Sequence, residues 1–315
     1  MNNTSNVENN SSCESIYNFK ASIYVPSYII IFIFGFTENL FCLYVFLKLY
    51  KKKTAFSIVM VNLAISDLLF VCTLPWRVHY YSENIWKHSH SLCIFLTYAL
   101  YLNMYCSIYF LTLISILRYF AIVHPITCLK FRSVKCVQII CIAIWMFVGI
   151  AAIPFLSLEN KKKRCFEFND STAVIFTMNL FSLVLGFIIP FFIFNTCYIL
   201  VIKTLLTSEA NHHNQKSSRS KAIVRIIVVM VIFITGFPVY HVLRTVYLAE
   251  IQNKSNPVQV SCFVQKSAVV TLCQVVMNPC LDPVFYYFAA ESFRDKLRST
   301  VKNTFKGCPA LMHQN

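Results

Sequence analysis

Glycine and charged residues are scarce in this chain of 315 residues. Five residues are glycine and 13% are charged, whereas 57% are apolar. The sequence has no HExxH, no G-x-S-x-G and no glycine-rich phosphate-binding loop, which argues against the enzyme classes that use these motifs. Inverted repeats and glycine-rich broken helices are also absent, which disfavours the alternative of a transporter or channel. We therefore expect a protein that is not an enzyme and has no cofactor, apart from the ion considered below.

A cleavable secretory signal is a further absence. Residues 1–21 are rich in Asn and Ser, and the first apolar run starts near Ile23. A signal peptide would instead place a basic segment before a short apolar core. We expect the first apolar run to act as an uncleaved signal anchor.

Seven apolar runs are long enough to cross a membrane, since a spanning helix needs about 20 mainly apolar residues. None alternates apolar and polar residues as a membrane β-strand would. The sequence therefore predicts an all-α membrane protein, a seven-transmembrane helix bundle. The runs cover residues 23–49, 55–80, 92–123, 137–158, 173–206, 222–249 and 262–288.

A short amphipathic eighth helix is predicted after the bundle. Its charged positions can contact anionic headgroups, and Cys308 just beyond it is a candidate for palmitoylation. Its apolar positions recur every four residues and are Phe293, Leu297, Val301 and Phe305. The predicted divisions are an extracellular N-terminal segment (1–22), the bundle (23–288), and the amphipathic helix with a cytoplasmic tail (289–315).

Basic residues and glycosylation motifs predict the orientation. Lys and Arg are enriched in the loops that are cytoplasmic if the N-terminus is extracellular. Six Asn-X-Ser/Thr triplets all fall on the opposite, extracellular side. They begin at Asn2, Asn3, Asn9, Asn10, Asn169 and Asn253. We expect a glycosylated plasma-membrane protein with a cytoplasmic C-terminus, whose net charge of +15 faces membrane lipids and not nucleic acid.

Four of the 14 cysteines lie in or beside the predicted extracellular segments. They are Cys13, Cys93, Cys165 and Cys262. Four cysteines in an oxidising compartment allow three pairings. Our hypothesis is that Cys93 pairs with Cys165, which ties a loop over the bundle, and that Cys13 pairs with Cys262.

Ionisable residues inside the membrane are costly and mark functional sites. Asp67 and Asp282 lie within predicted spans, where Asn39 and Asn62 are candidate partners. Two arrangements remain open for Asp67. It binds Na⁺ together with Ser107 and Asn278, or it hydrogen-bonds to Asp282 directly or through water.

A set of motifs along the spans resembles the rhodopsin-like G-protein-coupled receptors. The set comprises Asn39, Leu63-Ala64-Ile65-Ser66-Asp67, Arg118-Tyr119, Trp145, Pro190, Tyr198 and Asp282-Pro283-Val284-Phe285-Tyr286. The resemblance implies that the cytoplasmic end of helix six moves outward on activation. This opens a cleft for a heterotrimeric G protein around Arg118, Tyr198 and Tyr286.

Three positions depart from that family's pattern. Leu117 replaces the usual acid beside Arg118, and Glu38 replaces the usual glycine before Asn39. In helix six the proline of Phe237-Pro238-Val239 comes one residue early, and Phe237 replaces the usual tryptophan. The resemblance also assigns Phe237, Asp282 and Pro283 to activation, and of these three only Phe237 departs from the pattern.

Cations at the outer helix ends indicate an anionic ligand. Arg77, Arg244 and Lys266 lie there, although snorkelling or pairing with nearby acids would also explain the arginines. Tyr240 lies four residues before Arg244, so both project from one helix face. Tyr101 and Tyr105 have the same spacing and add two phenolic groups.

Further strings are similar to the cysteinyl leukotriene receptors. Examples are Thr73-Leu74-Pro75-Trp76-Arg77-Val78 and Tyr240-His241-Val242-Leu243-Arg244-Thr245. The resemblance implies a ligand whose acyl chain lies between apolar helix faces of helices four and five, with signalling through a Gq- or Gi-type G protein and calcium. The ligand-binding residues that the resemblance implies are Arg77, Tyr101, Tyr105, Tyr240 and Arg244, and we add His241 and Lys266 to the predicted set. Purinergic nucleotide receptors share the cationic positions and remain the alternative.

Overall fold

The structure is a computed structural model that describes residues 5–49, 53–126, 131, 133–154, 165–166, 172–207, 213–253 and 261–289. This part of the chain is largely helical and contains no strand, which confirms the predicted all-α class. The predicted eighth helix and Cys308 lie outside the described residues. The three predicted divisions of the chain stay predictions, and the first helix begins at Ser5, upstream of the division at residue 22.

The described residues form eleven α-helices and two π-helices. The π-helices are Val45–Leu49 and Ser182–Ile188. The α-helices are α1 (Ser5–Tyr44), α2 (Ala55–Val71), α3 (Leu74–Glu83), α4 (His90–Ile122), α5 (Val134–Ala152), α6 (Thr172–Phe181), α7 (Ile189–Thr207), α8 (His213–Gly236), α9 (Pro238–Asn253), α10 (Cys262–Val276) and α11 (Asn278–Ala289).

These helices combine into seven spans, as predicted. Six stretches are long and apolar enough to cross a bilayer: α1, α2 with α3, α4, α5, α6 with α7, and α8 with α9. The seventh span is α10 with α11, two short helices that meet at a bend of 41°. Breaks within spans leave backbone N–H and C=O groups without their helical partners at membrane depth. Such groups are tolerated where neighbouring helices shield them from lipid.

Hydroxyl side chains fix where three of the spans begin. Thr54 and Ser57 form a reciprocal capping box before α2, with Ser57 N–H donating to Thr54 Oγ1 at 3.1 Å. Ser89 accepts from the Leu92 N–H at the start of α4, and Ser133 caps α5 in the same way. Each cap satisfies a backbone donor that has no partner inside its helix.

Pro238 separates α8 from α9. Proline has no backbone N–H, so the carbonyl four residues earlier cannot receive its usual helical bond. The helix resumes when the His241 N–H donates to the Phe237 carbonyl at 3.3 Å. Tyr240, His241 and Arg244 therefore lie on the short helix α9, beyond the break.

Helix α4 is the centre of the bundle and packs against α2, α5 and α7. Its Cys106, Ile108 and Phe110 are completely buried. The outer helices carry the opposite pattern, with Ile139 on α5 67% exposed and Phe192 on α7 64% exposed. Apolar side chains on an outer face are expected where the surrounding solvent is lipid hydrocarbon.

Candidate functional site: a cationic cluster beside an apolar cleft

The predicted Cys93–Cys165 disulfide is present and joins the start of α4 to the segment that follows α5. The two Cα atoms are 5.7 Å apart. The bond places Phe166 beside α3 and α4, at the end of the bundle that also carries Arg77. We call this end the Cys93 end. The side chain of Cys13 is outside the description, so its pairing with Cys262 stays a prediction.

Arg77 is almost completely enclosed at the Cys93 end, with 2% of its surface exposed. Its Nη2 donates to the Leu96 carbonyl of α4 at 2.7 Å. The guanidinium carbon lies 4.1 Å from the centre of the Phe166 ring, which is a cation–π contact. Its Nε has no hydrogen-bond partner among the described residues. A buried cation with an unused donor is a candidate site for an anion.

Phe166 is held in an unusual backbone conformation. Its φ of 64° lies in the left-handed region, which bulky residues rarely adopt. The ring contacts Tyr80 at 5.3 Å and Trp86 at 6.0 Å between centroids. Phe166 was not predicted as a site residue, because its position beside Cys165 in the sequence gives no indication of the contact with Arg77.

Arg244 is the second cation of the site and is partly exposed. Its Nη2 donates to the Tyr101 hydroxyl at 3.2 Å. Tyr240 and Tyr105 also interact with this guanidinium electrostatically. The structure thus brings together four of the predicted ligand-binding residues from α4 and α9. We call these residues, Tyr101, Tyr105, Tyr240 and Arg244, the Arg244 group.

His241 lies beside this group, with its ring centroid 5.2 Å from that of Tyr240. Its ring stacks on Phe187 with centroids 4.3 Å apart, and it lies 6.1 Å from the Tyr105 ring. Nδ1 is 3.0 Å from the Phe237 carbonyl, an acceptor, so Nδ1 carries the hydrogen. Nε2 is buried and has no partner among the described residues, which leaves an acceptor for a donor group on a ligand.

Lys266 stands apart from the other predicted ligand-binding residues. Its Nζ lies 5.4 Å from the centre of the Phe19 ring on α1. The lysine is therefore at the junction of α10 with α1, whereas the Arg244 group is formed by α4 and α9.

An apolar cleft of about 580 Å³ opens between α4, α5 and the helices of the fifth span. Phe147, Met178 and Leu185 are among its lining residues. Tyr105 and Ser182 also line it, and the two side chains interact. Since Tyr105 also interacts with Arg244, the cationic group and the apolar cleft adjoin one another.

The π-helix Ser182–Ile188 shapes the wall of this cleft. A Cβ atom on Gly186 would lie 2.6 Å from Tyr105 Cε1, so the Tyr105 ring packs where only glycine leaves room. The Tyr109 hydroxyl donates to the Leu185 carbonyl at 2.7 Å. That bond satisfies a carbonyl in the π-helix, where the regular helical pattern is interrupted.

A buried acidic cluster lies deeper in the bundle. Asp67 Oδ1 accepts from Asn103 Nδ2 at 2.9 Å, and the carboxyls of Asp67 and Asp282 interact. Asp67 Oδ2, Ser107 Oγ and Asn278 Nδ2 are buried with no hydrogen-bond partner among the described residues. The cluster thus contains all the residues that were predicted to hold Na⁺, together with Asp282.

Asn103 was not predicted as a partner of Asp67, and two of the amides that were predicted bond elsewhere. Asn62 Oδ1 instead accepts from Trp145 Nε1 at 2.9 Å, and Asn39 Nδ2 donates to the Pro279 carbonyl at 2.7 Å. Neither is seen to bond to a carboxylate. Glu38 is half-buried on α1 near Cys280, outside this cluster.

The opposite end of the bundle carries Arg118, and we call it the Arg118 end. The Arg118 guanidinium carbon lies 5.1 Å from the centre of the Phe56 ring of α2, and Tyr198 is close enough to interact electrostatically. Phe237 is buried further inside, 5.0 Å from the Phe233 ring.

The Tyr286 side chain lies outside the described part of the structure, as do the side chains of the six predicted glycosylation sites. Pro283 lies inside α11.

Comparisons with known proteins agree with this architecture. Residues 38–286 match the family described as 7 transmembrane receptor (rhodopsin family). The chain is 42% identical to cysteinyl leukotriene receptor 1 of Cavia porcellus, with 93% of this chain and 88% of the relative covered. It is 40% identical to cysteinyl leukotriene receptor 2 of Sus scrofa, covering 96% and 88%. It is 35% identical to lysophosphatidic acid receptor 6 of Gallus gallus, covering 93% and 99%.

The match to the family covers most of the chain, from residue 38 within the first span to residue 286 within the seventh. It identifies a receptor and not an enzyme, located in the plasma membrane with several spans and coupled to a G protein. The motifs quoted from the sequence, the seven spans and the disulfide at the start of α4 all agree with it. This chain belongs to the rhodopsin family of seven-transmembrane receptors.

Proposed function

We propose that this receptor is activated by an extracellular anionic lipid, and specifically by a cysteinyl leukotriene. The observation that carries the proposal is the junction at Tyr105, where the group formed by Arg244 and its tyrosines meets an apolar cleft of about 580 Å³. An amphiphile with carboxylates at one end and an acyl chain at the other fits this junction. Ligand sites commonly combine an apolar wall with a few polar groups that fix orientation.

In this proposal each part of the ligand has its own contact. Arg244 binds a carboxylate through charge-assisted hydrogen bonds, with Tyr101 and Tyr240 supplying phenolic groups. The Nε2 acceptor of His241 receives a donor from the polar head. The acyl chain occupies the cleft between α4, α5 and the fifth span.

The names of the relatives support a lipid over a nucleotide. Two of them are named as leukotriene receptors and a third as a lysophosphatidic acid receptor. A leukotriene and a lysophosphatidic acid share an anionic group and an acyl chain. A purinergic ligand would use the same cations but would leave the apolar cleft without an apolar occupant.

The proposed orientation places the Cys93 end outside the cell and the Arg118 end in the cytoplasm. The Lys and Arg distribution supports it, as does the disulfide, which forms in an oxidising compartment. Ligand binding at α9 would then move the sixth span, which is interrupted at Pro238. We propose that the exposed Arg118 end engages a Gq- or Gi-type G protein and raises cytosolic calcium.

A concentration–response screen in transfected cells tests the proposal. The panel contains cysteinyl leukotrienes, lysophosphatidic acid and nucleotides, with calcium and G-protein dissociation as parallel readouts. A response to a leukotriene at concentrations well below those of the other compounds is expected. A response confined to nucleotides, or to lysophosphatidic acid, would replace the leukotriene assignment.

We further propose a Na⁺ ion at the acidic cluster. Asp67, Ser107 and Asn278 would hold it, and its charge would offset the two buried carboxyls of Asp67 and Asp282. The purified receptor should unfold at a higher temperature in sodium chloride than in choline chloride. Asp67→Asn should remove that difference, whereas Glu38→Gln, outside the cluster, should retain it. An equal difference in Asp67→Asn would show that the cluster does not hold the ion.

A further inference from the structure

Arg77 retains an unused donor in a place where polar groups are normally satisfied. The described residues supply one hydrogen-bond acceptor, the Leu96 carbonyl, and none for Nε. Arginine carries five N–H donors arranged in one plane. A completely buried donor without an acceptor is uncommon in folded proteins. The Nε–H of Arg77 thus has no hydrogen-bond acceptor among the described residues.

Phe166 determines how that guanidinium is presented. Its ring covers one face of the guanidinium plane at 4.1 Å, while the Leu96 carbonyl holds Nη2. These two contacts restrain the tilt and rotation of the plane, because one acts on its face and the other on its edge. A group restrained in this way can bind a planar carboxylate with little further ordering.

The conformation of Phe166 indicates that its position is imposed by its surroundings. A left-handed φ of 64° is unfavourable for a bulky side chain and persists where neighbouring contacts compensate. Those contacts are the disulfide at Cys165 and the rings of Tyr80 and Trp86. Strained residues cluster at binding sites, where the strain maintains a geometry that the unrestrained chain would leave.

We propose that Phe166 is a positioning residue for ligand recognition: its ring orients the Arg77 guanidinium so that the Nε–H donates to an anionic group of the ligand. This inference rests on the proposed function, an anionic lipid ligand. Phe166 acts through the quadrupole of its ring, which attracts a cation over its face. Its contribution therefore depends on the electron density of the ring and on the presence of Arg77.

Progressive fluorination of the Phe166 ring separates this role from simple packing. Each fluorine weakens the attraction for a cation and changes the size of the ring little. Mono-, di- and trifluorophenylalanine can be incorporated at position 166 by nonsense suppression. The leukotriene concentration for half-maximal calcium response should rise stepwise, by roughly tenfold across the series. Phe166→Trp should keep potency near that of the parent receptor, and Phe166→Leu should lose it.

Two matched series serve as controls. Fluorination at Phe95, which is 55% exposed on α4, should leave potency unchanged. Fluorination at Phe166 in the Arg77→Leu receptor should also have no stepwise effect, because the cation is absent. Surface expression is measured in the same cells, so that a loss of folded receptor is not counted as a loss of potency.

The outcomes distinguish the inference from the proposed function. A receptor that responds to a leukotriene and shows a flat fluorination series at Phe166 would overturn the positioning role and leave the ligand assignment intact. A stepwise series that persists without Arg77 would overturn it as well. A receptor silent to leukotrienes would overturn the proposed function, and this inference with it.

Discussion

The two ends of the bundle each place an arginine over a phenylalanine ring, but they enclose the pair differently. Arg77 at the Cys93 end is 2% exposed and lies 4.1 Å from the Phe166 ring. Arg118 at the other end is partly exposed and lies 5.1 Å from the Phe56 ring. Cation–π contacts contribute about 0.5–1 kcal/mol when exposed and about 2 kcal/mol when removed from water.

The comparison indicates that the two ends are restrained to different degrees. The Cys93 end is fixed by a disulfide, by the Leu96 carbonyl and by an aromatic cluster around Phe166. At the Arg118 end, Leu117 stands where the family usually has an acid. In the proposed function, a recognition end held by these contacts suits a receptor whose ligand site persists while its G-protein surface changes shape.

The largest effect is expected from removing the disulfide. Cys93→Ser and Cys165→Ser should each nearly abolish the ligand response, because loss of a disulfide commonly costs about 2–5 kcal/mol and here also releases Phe166 from α4. The double variant should be no worse than either single one. Radioligand binding on intact cells measures this, with Cys72→Ser, an exposed thiol, as the control. Normal binding in both single variants would show that the Cys93 end needs no covalent restraint.

Arg244→Ala should reduce agonist potency by roughly tenfold to a hundredfold, since a charge-assisted hydrogen bond contributes about 1.5–3 kcal/mol. Lysine should restore part of the loss, because it keeps the charge and loses the planar geometry. Lys266→Ala is the control and should have little effect, since Lys266 lies over Phe19 and apart from the Arg244 group. If Arg244 were structural, surface expression would fall while the potency of the surviving receptors stayed constant.

Gly186→Ala should weaken the response to a long-chain ligand by several-fold to about tenfold. The added Cβ would lie 2.6 Å from Tyr105 Cε1 and force that ring to move within the cleft. Analogues with a shortened acyl chain should show a smaller loss, which concentration–response curves would reveal. Gly236→Ala is a suitable control, because its Cβ would meet Asn278 Oδ1 at an ordinary 3.8 Å. Equal losses for long and short chains would place the acyl chain elsewhere.

The smallest effect concerns the Arg118 end. Phe56→Leu should raise ligand-independent signalling about twofold to fivefold, which corresponds to a partly exposed cation–π contact of about 0.5–1 kcal/mol. Basal G-protein dissociation, normalised to surface expression, is the measurement. Phe131→Leu, at a ring that stacks on Phe120, should leave basal signalling unchanged. Unaltered basal signalling in Phe56→Leu would mean that the contact does not restrain this end.

The fold was largely predictable because bilayer thickness imposes a length on each apolar run. The seven runs of the sequence all correspond to spans of the structure. The interruptions inside spans were less predictable. Pro238 marks one of them in the sequence, whereas the π-helix Ser182–Ile188 depends on contacts with Tyr105 and Tyr109 of another helix.

The candidate site was predictable in its residue types and less so in its contacts. Arg244 and Tyr240 share a helix face, which their spacing indicates, and the structure places them together. Phe166 reaches Arg77 from a position 89 residues later in the chain through the disulfide, and Asn103 reaches Asp67 from another helix. Such contacts depend on how helices pack, and neither the hydropathy nor the spacing of a single segment encodes them.

Blocking the carboxylates of the ligand one at a time tests the central claim most directly. Each carboxylate of a cysteinyl leukotriene is converted to its methyl ester, and the potency of each ester is measured on the parent receptor, Arg244→Ala and Arg77→Ala. The account predicts that one ester is at least about tenfold weaker than the free acid on the parent receptor and equal to it on Arg244→Ala. The account would be contradicted if every ester lost as much potency relative to the free acid on Arg244→Ala and Arg77→Ala as on the parent receptor.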